Sequence, residues 1–415
     1  MSQSVWIIGA FSTPFGKAPQ TSFKAFTRQA YEGVLGDARM EDGRDIDGAW
    51  FGNAAMGAVG QSSIRGQVCF IPLVRDGGFP ERVPVVNVEN ACATGSAAIQ
   101  GARNSILAGE SRIALALGVE KLTDPNASGP PNLGGGSDML DPEEMIAYFA
   151  ALAERSGKTF APGLGRSLFM DTYAMQAAFH MARWGTTQAQ IAAAAAKTHN
   201  FGALNPLAQY RFETTVEQVL ADRPVSYPLT RSMCAPIGDG AAAVLLCSDD
   251  VLAGLDPEVR DRAVRIRSIG VSGGKYRDPE EPSLSRFAAD RAYRAAGVAA
   301  ADIDVAEVHD ATSFSEIYQS EMLGFCPEGA GGRFIEDGGG TLDSPVAINT
   351  SGGLVSKGHP IGATGCSMTC ELVTQLRGEA GPRQKPGARL GLAENGGGAI
   401  GFDEAVCYVS ILEKP

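Results

Sequence analysis

Cys92 stands before Ala93-Thr94-Gly95-Ser96, where a β-rich run over 84–88 gives way to a small-residue helix predicted over 97–107. A thiol at a helix start meets unpaired N–H groups and the positive end of the helix dipole. Both favour the thiolate, the form that attacks carbon. The small neighbours let backbone and substrate approach closely. A buried structural cysteine has the same local pattern, so this stretch alone leaves both readings open. A second glycine-laden strand-to-helix turn, 349–365, carries His359 between Gly358 and Pro360. The chain has only four histidines, His180, His199, His309 and His359. One held among glycines points to acid or base work beside a nucleophile. A third stretch, Glu307-Val308-His309-Asp310, ends a strand predicted from 302, and a fourth is Glu394-Asn395-Gly396-Gly397-Gly398. The glycines of the fourth predict a turn whose backbone N–H groups face a ligand.

All four stretches follow strands. The first half reads as a buried strand from Val5, a helix over 23–35, a strand over 45–53, a helix opening over 60–65, then the cysteine turn and a strand over 112–118. The second half repeats the order: 302–308 echoes 45–53, 345–349 echoes 84–87, and 389–393 echoes 112–116. Alternating strands and helices predict an α/β layered core. Three echoes in one order predict two copies of a single unit, with Cys92 and His359 at equivalent turns. Residues 121–236 differ, opening on a glycine- and proline-rich stretch over 124–142 and continuing with helices over 171–183 and 187–197 until Asn205-Pro206. This segment reads as a loop domain lying over the core and covering a long substrate. His180 and His199 fall on it with no acid or nucleophile nearby in sequence, and read as structural. The expected division is 1–120 with 237–263 as the N-terminal core half, 121–236 as the loop domain, and 264–415 as the C-terminal core half.

The 415 residues, 44% hydrophobic and 20% charged, suit a globular protein of two or three core-sized units. A net charge of −12 argues against nucleic acid as the main partner, because no general basic surface is there to release counterions. The eight cysteines are scattered without a CxxC pair, which fits a reducing compartment and no zinc site. Residues 2–10 begin a strand without a basic leader, no apolar run reaches about 18 residues, and the last four residues are no peroxisomal address. A cytoplasmic protein without a membrane span is expected.

In combination, Thr13-Pro14-Phe15-Gly16, Gly60-Gln61 with Arg65, Cys92-Ala93-Thr94-Gly95-Ser96, Gly238-Asp239-Gly240 and Gly358-His359-Pro360-Ile361-Gly362-Ala363-Thr364-Gly365 resemble the successive signatures of the thiolase superfamily over nearly the whole chain. His309-Asp310, Lys197-Thr198-His199-Asn200 and Asn205-Pro206 are similar to its sterol-carrier-protein type. The resemblance implies a thiolase fold: a duplicated α/β core in a layered α-β-α-β-α arrangement with an inserted loop domain. It implies an acyl-CoA C-acyltransferase, 3-oxoacyl-CoA thiolase-like, with the acyl group carried on Cys92 and exchanged with coenzyme A. His359 would help deprotonate Cys92, and His359 and His309 would hold an enolate oxygen. The backbone N–H groups of Cys92 and Gly397 would form the second oxyanion hole. Coenzyme A is a substrate, with no metal or prosthetic group. Its adenine and phosphates would meet the loop domain, where Arg183, Arg211, Arg223 and Arg231 are available, and the acyl group would meet residues 124–166. A homodimer or dimer of dimers is implied, with a small OB-fold and zinc-ribbon protein as a further partner.

The chain departs from the family at one point. Thiolases move the α-proton with a second cysteine, and the two positions where it occurs hold Glu394 and Ala311. Glu394 can take the role if burial raises its pKa, or it can point elsewhere; Cys366 is a further candidate, placed for packing on the helix after His359. Without the shuttle, Cys92, His309 and His359 also look like the Cys-His-His set of decarboxylating condensing enzymes. Two alternatives therefore stand beside the thiolase reading: a decarboxylating condensing enzyme or C-acyltransferase, and an acyl-CoA-binding subunit of a complex with an OB-fold partner.

Overall fold

A computed structural model describes residues 4–123, 136–157, 160 and 167–415. Its strands are β1 (Val5–Ser12), β2 (Gly48–Gly52), β3 (Val85–Val88), β4 (Ile113–Glu120), β5 (Pro224–Ser226), β6 (Leu229–Thr230), β7 (Gly240–Ser248), β8 (Val264–Gly273), β9 (Val305–Val308), β10 (Ala347–Ile348), β11 (Leu390–Gly397) and β12 (Val406–Glu413). Its helices are α1 (Phe23–Asp37), α2 (Arg65–Arg75), α3 (Thr94–Leu107), α4 (Pro142–Arg155), α5 (Leu168–Trp184), α6 (Gln188–Ala203), α7 (Val216–Ala221), α8 (Asp249–Gly254), α9 (Pro257–Arg262), α10 (Leu284–Ala296), α11 (Ser313–Met322), α12 (Gly331–Glu336) and α13 (Thr364–Leu376).

The strand order is β10-β9-β11-β12-β8-β1-β7-β4-β2-β3, with β5 and β6 pairing apart from it. Read inward from each edge, the two five-strand halves have one plan. The three outer strands run parallel, β3-β2-β4 in one half and β10-β9-β11 in the other. The next two, β7-β1 and β12-β8, are antiparallel. Strand to strand, the halves are joined where Trp6 pairs with Arg265 and Ile7 with Val264. The echoes read from sequence are therefore the two copies of one unit.

Strand alternation sets the layers. Along β7, Ala241, Ala243, Leu245 and Cys247 pack with α1 and α2, while Ala242, Val244 and Leu246 pack with α3 and α13. In the other half Ala306, Val308, Leu392, Val409 and Ile411 cover α10, and Val305, Ala393 and Leu412 face the middle. The outcome is α-β-α-β-α, as expected. Helix α13, lying between the halves, is buried on nearly all sides from Thr364 to Val373, as a helix covered on both faces must be. Each large apolar side chain fully removed from water in this layer contributes about 1.5–3 kcal/mol.

Between β4 and β7 lie α4 to α7 and the β5–β6 hairpin. Helix α6 starts where Thr187 and Gln190 cap each other's backbone, which fixes its first turn. Its alanines pack with Phe314 and Ile317 of α11, so the inserted segment shares its core with the C-terminal half. His180 bonds Thr186 at 2.8 Å and Glu321 at 3.0 Å, and His199 bonds the Ser232 carbonyl at 2.9 Å and stacks on Phe212. Both are the structural histidines expected. The acyl pocket expected from 124–166 falls in part outside the described residues, at 124–135, 158–159 and 161–166. The triple glycine differs from expectation: β11 runs on through Gly397, and the turn is 398–405. The strand pairs with β12 as far as Gly397, and close approaches at Gly396 and Gly397 leave no room for a side chain.

Candidate active site

Two glycines set the site. A Cβ on Gly95 would lie 2.6 Å from the backbone nitrogen of Cys366, and one on Gly365 would lie 2.3 Å from that of Ser96. The first turns of α3 and α13 therefore touch backbone to backbone, with no room for a side chain. Cys92 ends the turn before one helix and His359 lies just before the other, so the contact brings them together. His359 Nε2 is 3.1 Å from Cys92 Sγ. Ala91, next to the thiol, sits at φ +47°, a left-handed conformation of the kind that concentrates at functional sites.

The hydrogen bonds fix which nitrogen of His359 is the base. Thr364 Oγ1 donates to the Pro360 carbonyl at 3.0 Å and lies 2.7 Å from His359 Nδ1. Its one proton is committed, so the hydroxyl accepts from Nδ1–H. Nε2 is then unprotonated and faces the thiol. Glu120, buried at the end of β4, holds the turn: it accepts N–H groups from Ala54 at 3.0 Å and Gly362 at 3.2 Å, and the Asn53 amide at 2.9 Å. Burial nonetheless pushes its carboxyl up to about 7.

His309 is 2% exposed, its ring 5.3 Å from that of His359 centroid to centroid. Neither of its ring nitrogens has a hydrogen-bond partner among the described residues, and burial lowers its pKa to about 4. A neutral imidazole with both nitrogens free can donate to a ligand oxygen. Asp310 behind it accepts the Leu354 N–H at 2.6 Å, tying this turn to the loop before His359. One atom each of Cys92, His309 and His359 lies within 4.8 Å of the others. Three such donors meet the crude spacing of a metal trio. A tetrahedral zinc ion would hold sulfur and nitrogen about 3.5 Å apart, however, and the 3.1 Å contact is that of a thiol hydrogen-bonded to an imidazole.

The resting charge state corrects the expectation of a helix-start thiolate. Burial, then the charge of Glu404, pushes the Cys92 thiol up to about 12, against the N–H groups of Gly398 and Cys92 itself. Burial and the neighbouring His309 hold His359 well below its ordinary value. Helix α3 begins two residues after the sulfur, and desolvation outweighs its dipole. The pair rests as neutral thiol and neutral imidazole, ready for proton transfer when an electrophile arrives.

Alternation along β11 separates Glu394 from Asn395. Glu394 accepts the His309 backbone N–H at 3.0 Å, the Cys407 thiol at 3.2 Å and the Ser285 hydroxyl at 3.4 Å. It supports His309 from behind, and burial raises its pKa. Asn395, on the opposite face, donates to the Cys92 carbonyl at 3.1 Å and accepts from Ser96 at 2.8 Å. The side chain of β11 that meets the cysteine turn is thus Asn395. A Cβ on Gly397 would lie 2.2 Å from the Asn90 carbonyl, so that glycine permits the approach, and Gly398 is the one whose N–H favours the thiolate. Cys366 is buried with its thiol 3.5 Å from the Gly95 carbonyl, in packing. Sequence reasoning missed Thr364, Asn395 and Glu120. A histidine base needs a partner for its second nitrogen, and a hydroxyl five residues on was the available signal.

Of the four arginines, Arg183 lines a cavity of about 340 Å³ with Phe179, Trp184, Tyr318 and Phe402. Arg211, Arg223 and Arg231 are exposed, and Arg223 and Arg231 adjoin across the β5–β6 hairpin, the Arg231 N–H reaching the Arg223 carbonyl at 2.9 Å.

Residues 5–219 match the family model described as thiolase, N-terminal domain, and residues 275–410 match thiolase C-terminal domain-like. An acetyl-CoA acetyltransferase of Methanothermobacter thermautotrophicus is 36% identical over 407 residues, covering 96% of this chain and 97% of that protein. Sterol carrier protein 2 of Oryctolagus cuniculus is 36% identical over 78% of this chain, which spans only 60% of that protein's length. The solved structure of the Ltp2-ChsH2(DUF35) aldolase superposes with a TM-score of 0.77 at 19% identity, covering 99% of this chain and 98% of that one. At that identity the likeness concerns the fold.

Proposed function

The chain belongs to the thiolase family, and from that premise we propose that it is an acyl-CoA C-acyltransferase that carries the acyl group on Cys92 and exchanges it with coenzyme A. The observation that carries the reading is the 3.1 Å contact between Cys92 Sγ and a His359 Nε2 left unprotonated by Thr364. As the thiol attacks a thioester or 3-oxo carbonyl, Nε2 takes its proton. His309, with both ring nitrogens free, donates to the enolate oxygen of the acyl-CoA. The N–H groups of Cys92 and Gly397, with that of Gly398, receive the oxyanion at the acyl-enzyme. The test is cleavage of acetoacetyl-CoA by free coenzyme A, followed at the thioester absorbance, with acylation of Cys92 read by intact mass. Cleavage that Cys92→Ala abolishes is expected. A stable acyl-Cys92 without cleavage would move the protein to decarboxylating or other C-acyl transfer, and no acyl-enzyme at all would leave a binding subunit.

Coenzyme A is substrate, and Arg223 with Arg231, exposed and adjoining, are its phosphate contacts in this reading. The protein acts in the cytoplasm; among the described residues no helix is long and apolar enough to cross a membrane. It works as a homodimer through the open edge at β3, beside which Ile64, Ile71 and Val86 are exposed at 60%, 55% and 44%. A small OB-fold protein is a candidate partner, because the aldolase of the same fold is a complex with a DUF35 protein. The division into an N-terminal half, 121–236 and a C-terminal half remains our reading of the domains, supported by the repeated strand plan.

A further inference from the structure

The ring of His359 is held by Thr364, whereas the ring of His309 makes no hydrogen bond of its own among the described residues. Where the His309 imidazole points is therefore decided by its backbone. The two peptide N–H groups that end β9 are both held by side chains. Glu394, reaching from β11, accepts the His309 N–H at 3.0 Å, and Asn349, following β10, accepts the Val308 N–H on Oδ1 at 2.9 Å.

The second bond exists because the chain turns off after β10. The Asn349 N–H still reaches the Ala306 carbonyl at 2.8 Å, continuing the parallel ladder, but the residue sits at φ +55° and its own carbonyl goes to the Gly352 N–H at 3.0 Å. The side-chain amide takes over where the backbone carbonyl is diverted. Asparagine is one of the few residues that enter this left-handed region readily. Among the described non-glycine residues at positive φ, Asn349 alone is fully buried.

Only one end of an amide can accept. Nδ2 donates to Glu316 Oε2 at 3.0 Å, which leaves Oδ1 for Val308. Glu316, on α11, is fixed in turn by the inserted segment. Lys197 Nζ lies 2.9 Å from Glu316 Oε1 and donates to the Ile348 carbonyl at 2.6 Å, while the Thr198 hydroxyl donates to Oε2 at 3.1 Å. Helix α6 thus acts through Glu316 and Asn349 on the peptide that precedes His309.

Resting on the acyltransferase reading, we propose that Asn349, its amide oriented by Glu316 and Lys197, is the positioning residue for His309 and sets the imidazole where the enolate oxygen forms. It touches no substrate. An oxyanion donor works at about 2.7–3.1 Å from its oxygen, and a displacement of about 1 Å can cost about 100-fold in rate. Transfer of an acyl group from a thioester to Cys92 uses the thiol and His359, which are held separately by the α3–α13 contact and by Thr364.

One product made from two donors separates these steps. Acetyl-CoA and acetoacetyl-CoA both leave an acetyl group on Cys92, read by intact mass in single turnovers quenched in acid. In each, the Cys92 proton goes to His359 Nε2 as sulfur bonds the carbonyl carbon. With acetyl-CoA the carbon–sulfur bond then breaks, and coenzyme A leaves with its electron pair and a proton. With acetoacetyl-CoA the carbon–carbon bond breaks, its electron pair becomes the enolate that His309 holds, and the proton ends on the α-carbon through solvent, giving acetyl-CoA.

Glycine accepts the backbone conformation of Asn349 and offers no amide. Asn349→Gly is expected to be acetylated by acetyl-CoA within about threefold of wild type, which also shows that it is folded. With acetoacetyl-CoA its limiting rate should fall about 10- to 100-fold, at a half-saturating concentration within about threefold of wild type. Lys197→Met removes the cation facing Glu316; a buried carboxylate without its partner takes up a proton, can then donate, and no longer fixes the amide. It should shift the ratio of the two rates in the same sense by about threefold or more. Equal slowing from both donors in Asn349→Gly would make the residue general packing and overturn the proposal, as would wild-type rates from both. A wild-type ratio in Lys197→Met overturns the part given to the inserted segment. Should Asn349→Gly fail to fold, Lys197→Met decides alone: selective slowing supports the proposal, and equal slowing or the wild-type ratio overturns it. A wild type that acetoacetyl-CoA does not acetylate, or a His309→Ala variant with the wild-type ratio, sinks the parent reading and this proposal with it.

Discussion

Replacing Thr364 by Val keeps the shape of the side chain and removes one oxygen, the acceptor that orients His359. Nδ1–H, 2.7 Å from that oxygen, is left buried without a partner, at a cost of about 1–3 kcal/mol. The ring escapes the cost by moving its proton to Nε2, which then presents a hydrogen to the thiol and can no longer take one. The fraction in the productive tautomer falls by the same free energy. At about 1.4 kcal/mol per decade this is a loss of about 5- to 150-fold in the rate of Cys92 acylation. The assay is single-turnover acylation by acetyl-CoA, quenched in acid and read by intact mass, with urea unfolding alongside to show that the variant is folded. Thr364→Ser restores the oxygen and is expected to recover most of the rate. Acylation of Thr364→Val within twofold of wild type would refute the tautomer argument, because the hydroxyl would then have no part in preparing the base.

Three further outcomes are expected. Gly365→Ala places a methyl 2.3 Å from the Ser96 nitrogen, and should cost about 1–3 kcal/mol in urea unfolding while slowing acylation more than tenfold as Cys92 and His359 part; wild-type values for both would show that the helix contact is not tight. His309, depressed to about 4 by burial, stays neutral when folded while the unfolded chain takes up a proton below about pH 6.5. Its contribution is thus fully present above pH 6.5 and lost as pH falls through 4, by about 3 kcal/mol in all; His309→Asn should flatten the acid side of the stability curve by that amount, and an unchanged slope would place the imidazole in a wetter site. Val86→Lys, on the exposed edge of β3, should turn a homodimer into a monomer by light scattering with Cys92 acylation retained; a monomeric wild type would discard the edge as an interface.

The sequence exposed the site's frame through its spacing of small residues. Cys92 and His359 were legible because each lies at a turn that only glycines, Gly95 and Gly365, allow to dock, and the duplicated strand order was legible because both copies kept their hydrophobic periods. Register was not legible. Whether Glu394 or Asn395 faces the cysteine depends on the parity of β11, and parity cannot be counted through a triple glycine that resembles a turn and folds as a strand. Charge states were equally out of reach, since the rise of Cys92 and the fall of His359 come from surroundings contributed by both halves.

The thiol and its base are 267 residues apart in the chain, one on each copy of the repeat, and they meet only where α3 and α13 touch. While a ribosome is still making the second copy, Cys92 has no imidazole to take its proton, and acyl-CoA in the surroundings finds an idle thiol. Reactivity is acquired when the copies dock and is forfeited when they separate, so a misassembled or partly unfolded molecule cannot trap acyl groups it is unable to pass on. Duplication here did more than enlarge a fold: it divided one reaction between two halves, and made their correct assembly the condition for chemistry.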